Sequence, residues 1–162
     1  MTIAVGEKLP AATLSQVGAN GPEAVALADK LAGRKVVIFG LPGAYTGTCS
    51  TAHVPSFMRV RAALAEKGVD EVICVSVNDA FVMQAWGKDT GAAAAGITML
   101  ADADSSFTKA VGMEFSVPAI GFIDRSKRYS LYAEDGVVKF LNLEESAGVC
   151  EISGGEALLA QL

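Results

Sequence analysis

What the sequence has little of narrows its chemistry first. One histidine, His53, and three widely spaced cysteines, Cys49, Cys74 and Cys150, are all the imidazole and thiol groups in 162 residues, and no Cys-x-x-Cys pair occurs. Structural zinc takes about four such ligands, usually in close pairs, so no metal site is expected. The cysteines are also too few, in too long a chain, for a secreted disulfide scaffold. Lys and Arg number 13 against 18 Asp and Glu, a formal charge of -5 with no basic cluster. That balance argues against nucleic acid and acidic membrane surfaces as partners. No apolar run approaches the roughly 18 residues of a membrane span. The N-terminal "MTIAVGEKLPAATL" lacks the basic-then-apolar layout of a secretory signal. A cytoplasmic protein is therefore expected, or an organellar one if a transit peptide has been removed.

What is present reads as a folded α/β chain. Hydrophobic residues make up 51% of it, which argues against disorder, and one domain over residues 1–162 is expected. "KVVIFG" (Lys35–Gly40) is a short β-branched run closed by glycine, the pattern of a buried strand. Cys49 to Lys67 carries helically spaced apolar residues and stops at Gly68, with Pro55 expected to kink or break it. "EVICVSV" (Glu71–Val77) is a second buried strand, followed by a helix with Asn78 or Asp79 as N-cap. "GAAAAG" (Gly91–Gly96) reads as a loop or fraying helix end, Ile97–Leu100 as a strand and Ser105–Val111 as a helix stopped by Gly112. "RYSLYAEDGVVKFLNL" is a hairpin turning at Asp135-Gly136. "SGGEALLAQL" is a last helix, with Ser153 and Glu156 spaced as a capping box. A βαβ unit followed by antiparallel strands gives a thioredoxin-like layout: a mixed central sheet flanked by helices.

In such sheets function collects at the carboxyl ends of the strands. Cys49 stands there, after the strand Lys35–Gly40 and at the start of a helix, among Thr46, Thr48 and Ser50. A thiol attacks as its thiolate, which unpaired helix N–H groups and a nearby cation both favour. Thr46 or Thr48 is placed to cap that helix. Gly40, Gly43 and Gly47 also suggest a phosphate-binding loop, but no Lys-Ser/Thr pair follows them, and no cofactor is expected.

The segment "PGAYTGTCS" (Pro42–Ser50) resembles the peroxiredoxin signature, Pro-three residues-Thr-two residues-Cys. "HVPSF" (His53–Phe57), "VSVNDAFVMQAW" (Val75–Trp86) and "DRSKRYSLYAEDGVVKFLN" (Asp124–Asn142) are similar to the type II, or peroxiredoxin-five-like, branch. The resemblance covers nearly the whole chain. It implies a peroxidase for hydrogen peroxide and organic hydroperoxides, with thioredoxin, glutaredoxin or glutathione as reductant and a homodimer as assembly. Cys49 matches the peroxidatic cysteine, Thr46 the threonine that hydrogen-bonds the sulfur and peroxide, and Pro42 the proline that shields the pocket. Arg125 matches the arginine that stabilises the thiolate. Gly47 departs from a common proline, and Tyr45 from a common phenylalanine. A redox sensor or holdase using the same cysteine with little turnover is the alternative reading.

The remaining residues carry their own expectations. Cys74 reads as a small core hydrophobe on its strand. Cys150 lies among small residues and matches the resolving cysteine of some type II members. His53 reads as a hydrogen-bonded structural histidine, and Arg128 as a surface ion-pair partner or a support for Arg125. Phe81 and Trp86 read as core or interface, next to the dimer contact that the resemblance implies.

Overall fold

The computed structural model describes residues 1–162. Three strands foreseen from their apolar runs, β3 (Lys35–Gly40), β4 (Glu71–Ser76) and β5 (Ile97–Ala101), lie parallel at the centre of a seven-stranded sheet. Every residue of β4 is buried, which is why its sequence shows no polar alternation. The Asp135-Gly136 turn joins β8 (Tyr129–Glu134) to β9 (Val137–Leu143), and β8 runs antiparallel beside β3. On the other side, β1 (Thr13–Gly18) and β2 (Gly21–Ala26) complete the order β2-β1-β5-β4-β3-β8-β9. This edge hairpin escapes a reading of apolar runs because it is half exposed, and Pro22 is tolerated there on an edge strand. A separate two-stranded ribbon, β6 (Glu114–Val117) with β7 (Phe122–Ser126), was likewise not expected.

Helices cover both faces. One core layer packs Phe57 and Leu64 of α2 (Val54–Glu66), Met83 and Trp86 of α3 (Ala80–Thr90) and Leu158 of α5 (Gly155–Leu159) on Val37, Phe39 and Cys74. The other packs Leu27 and Leu31 of α1 (Leu27–Leu31) and Phe107 of α4 (Ser106–Ala110) on Ile38, Ile73 and Leu131. The mixed sheet between helical layers is the expected thioredoxin-like architecture.

Local details decide where the site forms. Asp79 is the cap of α3, accepting from the Val82 N–H at 2.9 Å. Asn78 turns instead to the Cys49 loop and accepts from the Ala44 N–H at 3.0 Å. Pro55 sits in the first turn of α2, and the turn before it, Cys49–His53, is π-helical, with the Val54 N–H reaching back to the Cys49 carbonyl. Proline offers no N–H and crowds the carbonyl one α-turn back, and the wider turn relieves that crowding. The expected break is thus a widened turn in a continuous helix.

The capping box before α5 does not form. Gly154 is the cap residue and contributes no side chain. The Gly155 N–H is satisfied by the Ser56 hydroxyl of α2 at 2.8 Å, and Glu156 pairs with Arg59 at 2.6 Å. Packing of α5 on α2 supplies what the local sequence was expected to supply.

Candidate active site

Cys49 is fully buried at the end of β3, in the π-helical turn. Its sulfur accepts a hydrogen bond from Arg128 Nη2 at 3.2 Å. Arg128 is itself buried, which is rare for a charged side chain without partners. Its partners account for the fork: Nε and Nη2 donate to the Ala147 carbonyl at 3.1 and 2.9 Å, and Nη1 meets His53 Nδ1 at 3.1 Å.

This corrects the reading of Arg125. Arg125 belongs to the β6–β7 ribbon, where its Nη1 donates to the Pro42 carbonyl at 3.0 Å and its guanidinium lies over the Phe122 ring. It supports the loop from beneath Gly43, where an added Cβ would lie 2.3 Å from Nη1. The sequence did hold a signal for the other arginine. The Asp135-Gly136 turn fixes Glu134 opposite Val137 and Ala133 opposite Val138, and so marks the strand that runs back toward Arg128 beside β3. The strand's alternation then puts Arg128 on the face of Ser130 and Tyr132, the face that Cys49 also occupies. Arg128 is no surface ion-pair partner.

Thr46 and Pro42 shape the loop ahead of the cysteine. The Thr46 hydroxyl donates to the Gly43 carbonyl at 2.8 Å, so its proton is committed within the turn and its oxygen remains an acceptor. Thr48 does not cap the helix; its hydroxyl donates to the Gly148 carbonyl at 3.1 Å. Ser50 is held from α3, accepting from the buried Trp86 Nε1 at 3.0 Å, while Phe81 on the same helix is exposed.

The segment 144–153 straps this site. Its carbonyls at Ala147, Gly148 and Ser153 accept from Arg128, Thr48 and His53 respectively. The Glu144 carboxylate pins the strap by accepting from the N–H groups of Glu151 and Ser153, at 2.9 and 2.7 Å. Cys150 rides on it, half-buried, and burial pushes its thiol up from the ordinary range against smaller downward pulls from Ser153 and Arg128. Cys74 is fully buried on β4, as a core thiol should be; burial raises it well above the usual value, and the charge of Cys49 adds to that. Among the three thiols, Cys49 alone has a cation at hydrogen-bond distance.

His53 is buried between the rings of Phe39 and Phe57 and bonded at both nitrogens, as the structural reading anticipated. Burial, and then the Arg128 charge, hold its pKa down to about 3, against a smaller upward pull from the Ser153 carbonyl.

The sequence and the fold that carry this arrangement recur in characterised proteins. The Redoxin family model matches residues 4–159. Peroxiredoxin-2E-2, chloroplastic, of Oryza sativa subsp. japonica is 48% identical over 98% of this chain and 72% of its own length. Peroxiredoxin-2F, mitochondrial, of Arabidopsis thaliana is 46% identical over 84% of this chain and 67% of its own. The crystal structure of reduced Prx3 in complex with hydrogen peroxide from Vibrio vulnificus superposes with a TM-score of 0.92 at 46% identity, covering 99% of each chain. Identity at that level over nearly the whole chain, with the family match over residues 4–159, places the chain in the redoxin family as a type II peroxiredoxin, a thiol-dependent peroxidase.

Proposed function

We propose that Cys49 is the peroxidatic thiol of this enzyme and that Arg128, not Arg125, is its electrostatic partner. The observation that carries the reading is the 3.2 Å contact from Arg128 Nη2 to the Cys49 sulfur inside a water-excluded site. A guanidinium stays charged at all working pH values and presents donors in a fixed plane. In low dielectric, such a preorganised donor stabilises developing negative charge more than water does.

The Cys49 thiolate attacks the terminal oxygen of a hydroperoxide. The S–O bond forms as the O–O bond breaks, the hydroxyl passes to sulfur, and the alkoxide or hydroxide leaves and takes a proton. Arg128 stabilises the charge as it moves from sulfur to the leaving oxygen. The Thr46 oxygen accepts from the peroxide O–H, and Pro42 closes the loop side of the pocket. Cys49 is left as a sulfenic acid, which a thiol must capture before further oxidation.

Cys150 supplies that thiol in this reading. Its sulfur displaces the hydroxyl of the sulfenic acid, water leaves, and a Cys49–Cys150 disulfide forms. A thioredoxin-type dithiol, or glutaredoxin with glutathione, then returns both thiols by exchange. A disulfide needs Cα atoms about 4.4–6.8 Å apart, so the strap and the cysteine turn must part locally. The strap is held to that turn mainly by hydrogen bonds from Arg128, Thr48 and His53.

Residues 1–162 act as one domain in this reading, supported by the family match over 4–159. A homodimer is supported by large apolar side chains left exposed at Phe81, Ile120 and Ile123. A compartment with a reducing thiol pool suits the cycle, and the relatives' names place theirs in the chloroplast and the mitochondrion. The deciding experiment is single-turnover mixing with hydrogen peroxide: Cys49→Ser consumes none, because serine does not ionise near neutrality. Substantial consumption by that variant removes Cys49 from the role.

A further inference from the structure

The chain has one histidine, and its two nitrogens face partners of opposite kinds. Nε2 lies 3.1 Å from the Ser153 carbonyl, which can only accept, so Nε2 carries the hydrogen. Nδ1 lies 3.1 Å from Arg128 Nη1, which can only donate, so Nδ1 presents its lone pair. The surroundings thereby select one neutral tautomer. Arg128 is the charged group that faces the ring; Phe39 of β3 and Phe57 of α2 pack against it, and the strap closes the remaining side.

A histidine that merely filled space would need a partner only for its N–H, and Ser153 provides one. The second nitrogen is aimed at the one cation that touches the reactive sulfur. The fork has three anchors: Nε and Nη2 share the Ala147 carbonyl, Nη2 also reaches Cys49, and Nη1 is held by His53 alone among the hydrogen-bond partners. Without the third anchor the plane is free to pivot about the Ala147 carbonyl, carrying Nη2 away from sulfur.

We propose that His53 is a positioning residue for peroxide reduction: its Nδ1 lone pair fixes Arg128 Nη1 and so keeps Nη2 on the Cys49 sulfur. This rests on Cys49 being the reacting thiol.

The test compares His53→Asn with His53→Leu in the full chain. Both substitutions lose the Nε2–H bond to Ser153, so that loss cancels between them. Asparagine restores an acceptor near Nδ1 and leucine does not. The rate constant for oxidation of Cys49 by hydrogen peroxide is read in single turnover without reductant. His53→Leu is expected to fall by up to about a hundredfold, the scale of a misplaced catalytic group, with His53→Asn recovering most of it. Equal rates in the two variants, or a near-wild-type rate in His53→Leu, overturn the proposal. Should His53→Leu fail to fold, nitrogen NMR of the single histidine in the wild-type protein decides: an Nε2–H, Nδ1-unprotonated ring at pH 6 is expected. A protonated ring or an Nδ1–H tautomer there overturns it. Cys49→Ser run alongside keeps the two claims apart, since peroxide consumption by that variant fails the Cys49 assignment itself.

Discussion

Arg128 stands 79 positions from Cys49 in the chain, yet its Nη2 is 3.2 Å from the cysteine sulfur and both residues are buried. The contact exists because β8 lies beside β3, so the residue before β8 and the turn after β3 meet at one end of the sheet. In the function proposed for Cys49, the activity depends on that meeting.

Arg128→Met should slow peroxide reduction by about 10²–10³-fold, the usual cost of one preorganised donor. Arg125→Met should cost about tenfold or less, since Arg125 acts only through the position of the Pro42 loop. Stopped-flow rates with hydrogen peroxide rank the two. The reverse ranking would return the catalytic role to Arg125.

Thr46→Val removes both the acceptor for peroxide and the donor that closes the turn onto Gly43. A loss of about 10²–10³-fold is expected, while Thr46→Ser should keep most of the rate. Equal losses in the two variants would show that the methyl group, not the hydroxyl, matters.

Cys150→Ser should consume one equivalent of peroxide and then stall with thioredoxin. Wild-type protein given one equivalent should yield a Cys49–Cys150 peptide pair by mass spectrometry after alkylation. A Cys49–Cys74 pair, or a sulfenic acid cleared only by external thiols, would make Cys150 incidental.

Stability should fall with acid because of His53. The ring titrates near 6.5 when free and is held down to about 3 in the folded protein. Between those values the unfolded chain takes up a proton that the folded chain refuses. The contribution is therefore complete above pH 6.5 and is lost toward pH 3, at up to about 1.4 kcal/mol per pH unit. Urea midpoints at pH 7.5, 6 and 5 should drop in the wild type and change less in His53→Asn. Parallel slopes would remove His53 as the cause.

Gly155→Ala tests the anchor at the end of the strap. An added Cβ would meet the Ser56 carbonyl oxygen of α2 at 2.4 Å, so α5 must shift. Overpacking of this kind costs about 1–3 kcal/mol, readable as a lower urea midpoint. An unchanged midpoint would mean that the α2–α5 contact relaxes freely.

Much of this molecule was legible in its sequence, because the signals are local. β-Branched runs marked β3, closed by Gly40, and β4, an Asp-Gly turn with alternating arms marked β8 and β9, and the strand-to-helix junction singled out Cys49 over Cys74 and Cys150. The half-exposed β1–β2 hairpin and the β6–β7 ribbon lacked such runs, so their pairing rested on neighbours rather than on composition. Partner choice lay further out of reach. Arg125 and Arg128 are nearly interchangeable as sequence, and only the register of β8 against β3 sends one to the sulfur and leaves the other under Pro42. In the same way Ser56, not Ser153, completes α5, and the Thr48 hydroxyl goes to the strap instead of to its own helix. Hydrogen-bonding groups have several possible partners along a chain, whereas buried apolar patterns have few arrangements. The sequence therefore determined the central elements and the candidate cysteine, and the tertiary packing decided the edge pairings and which side chains complete the site.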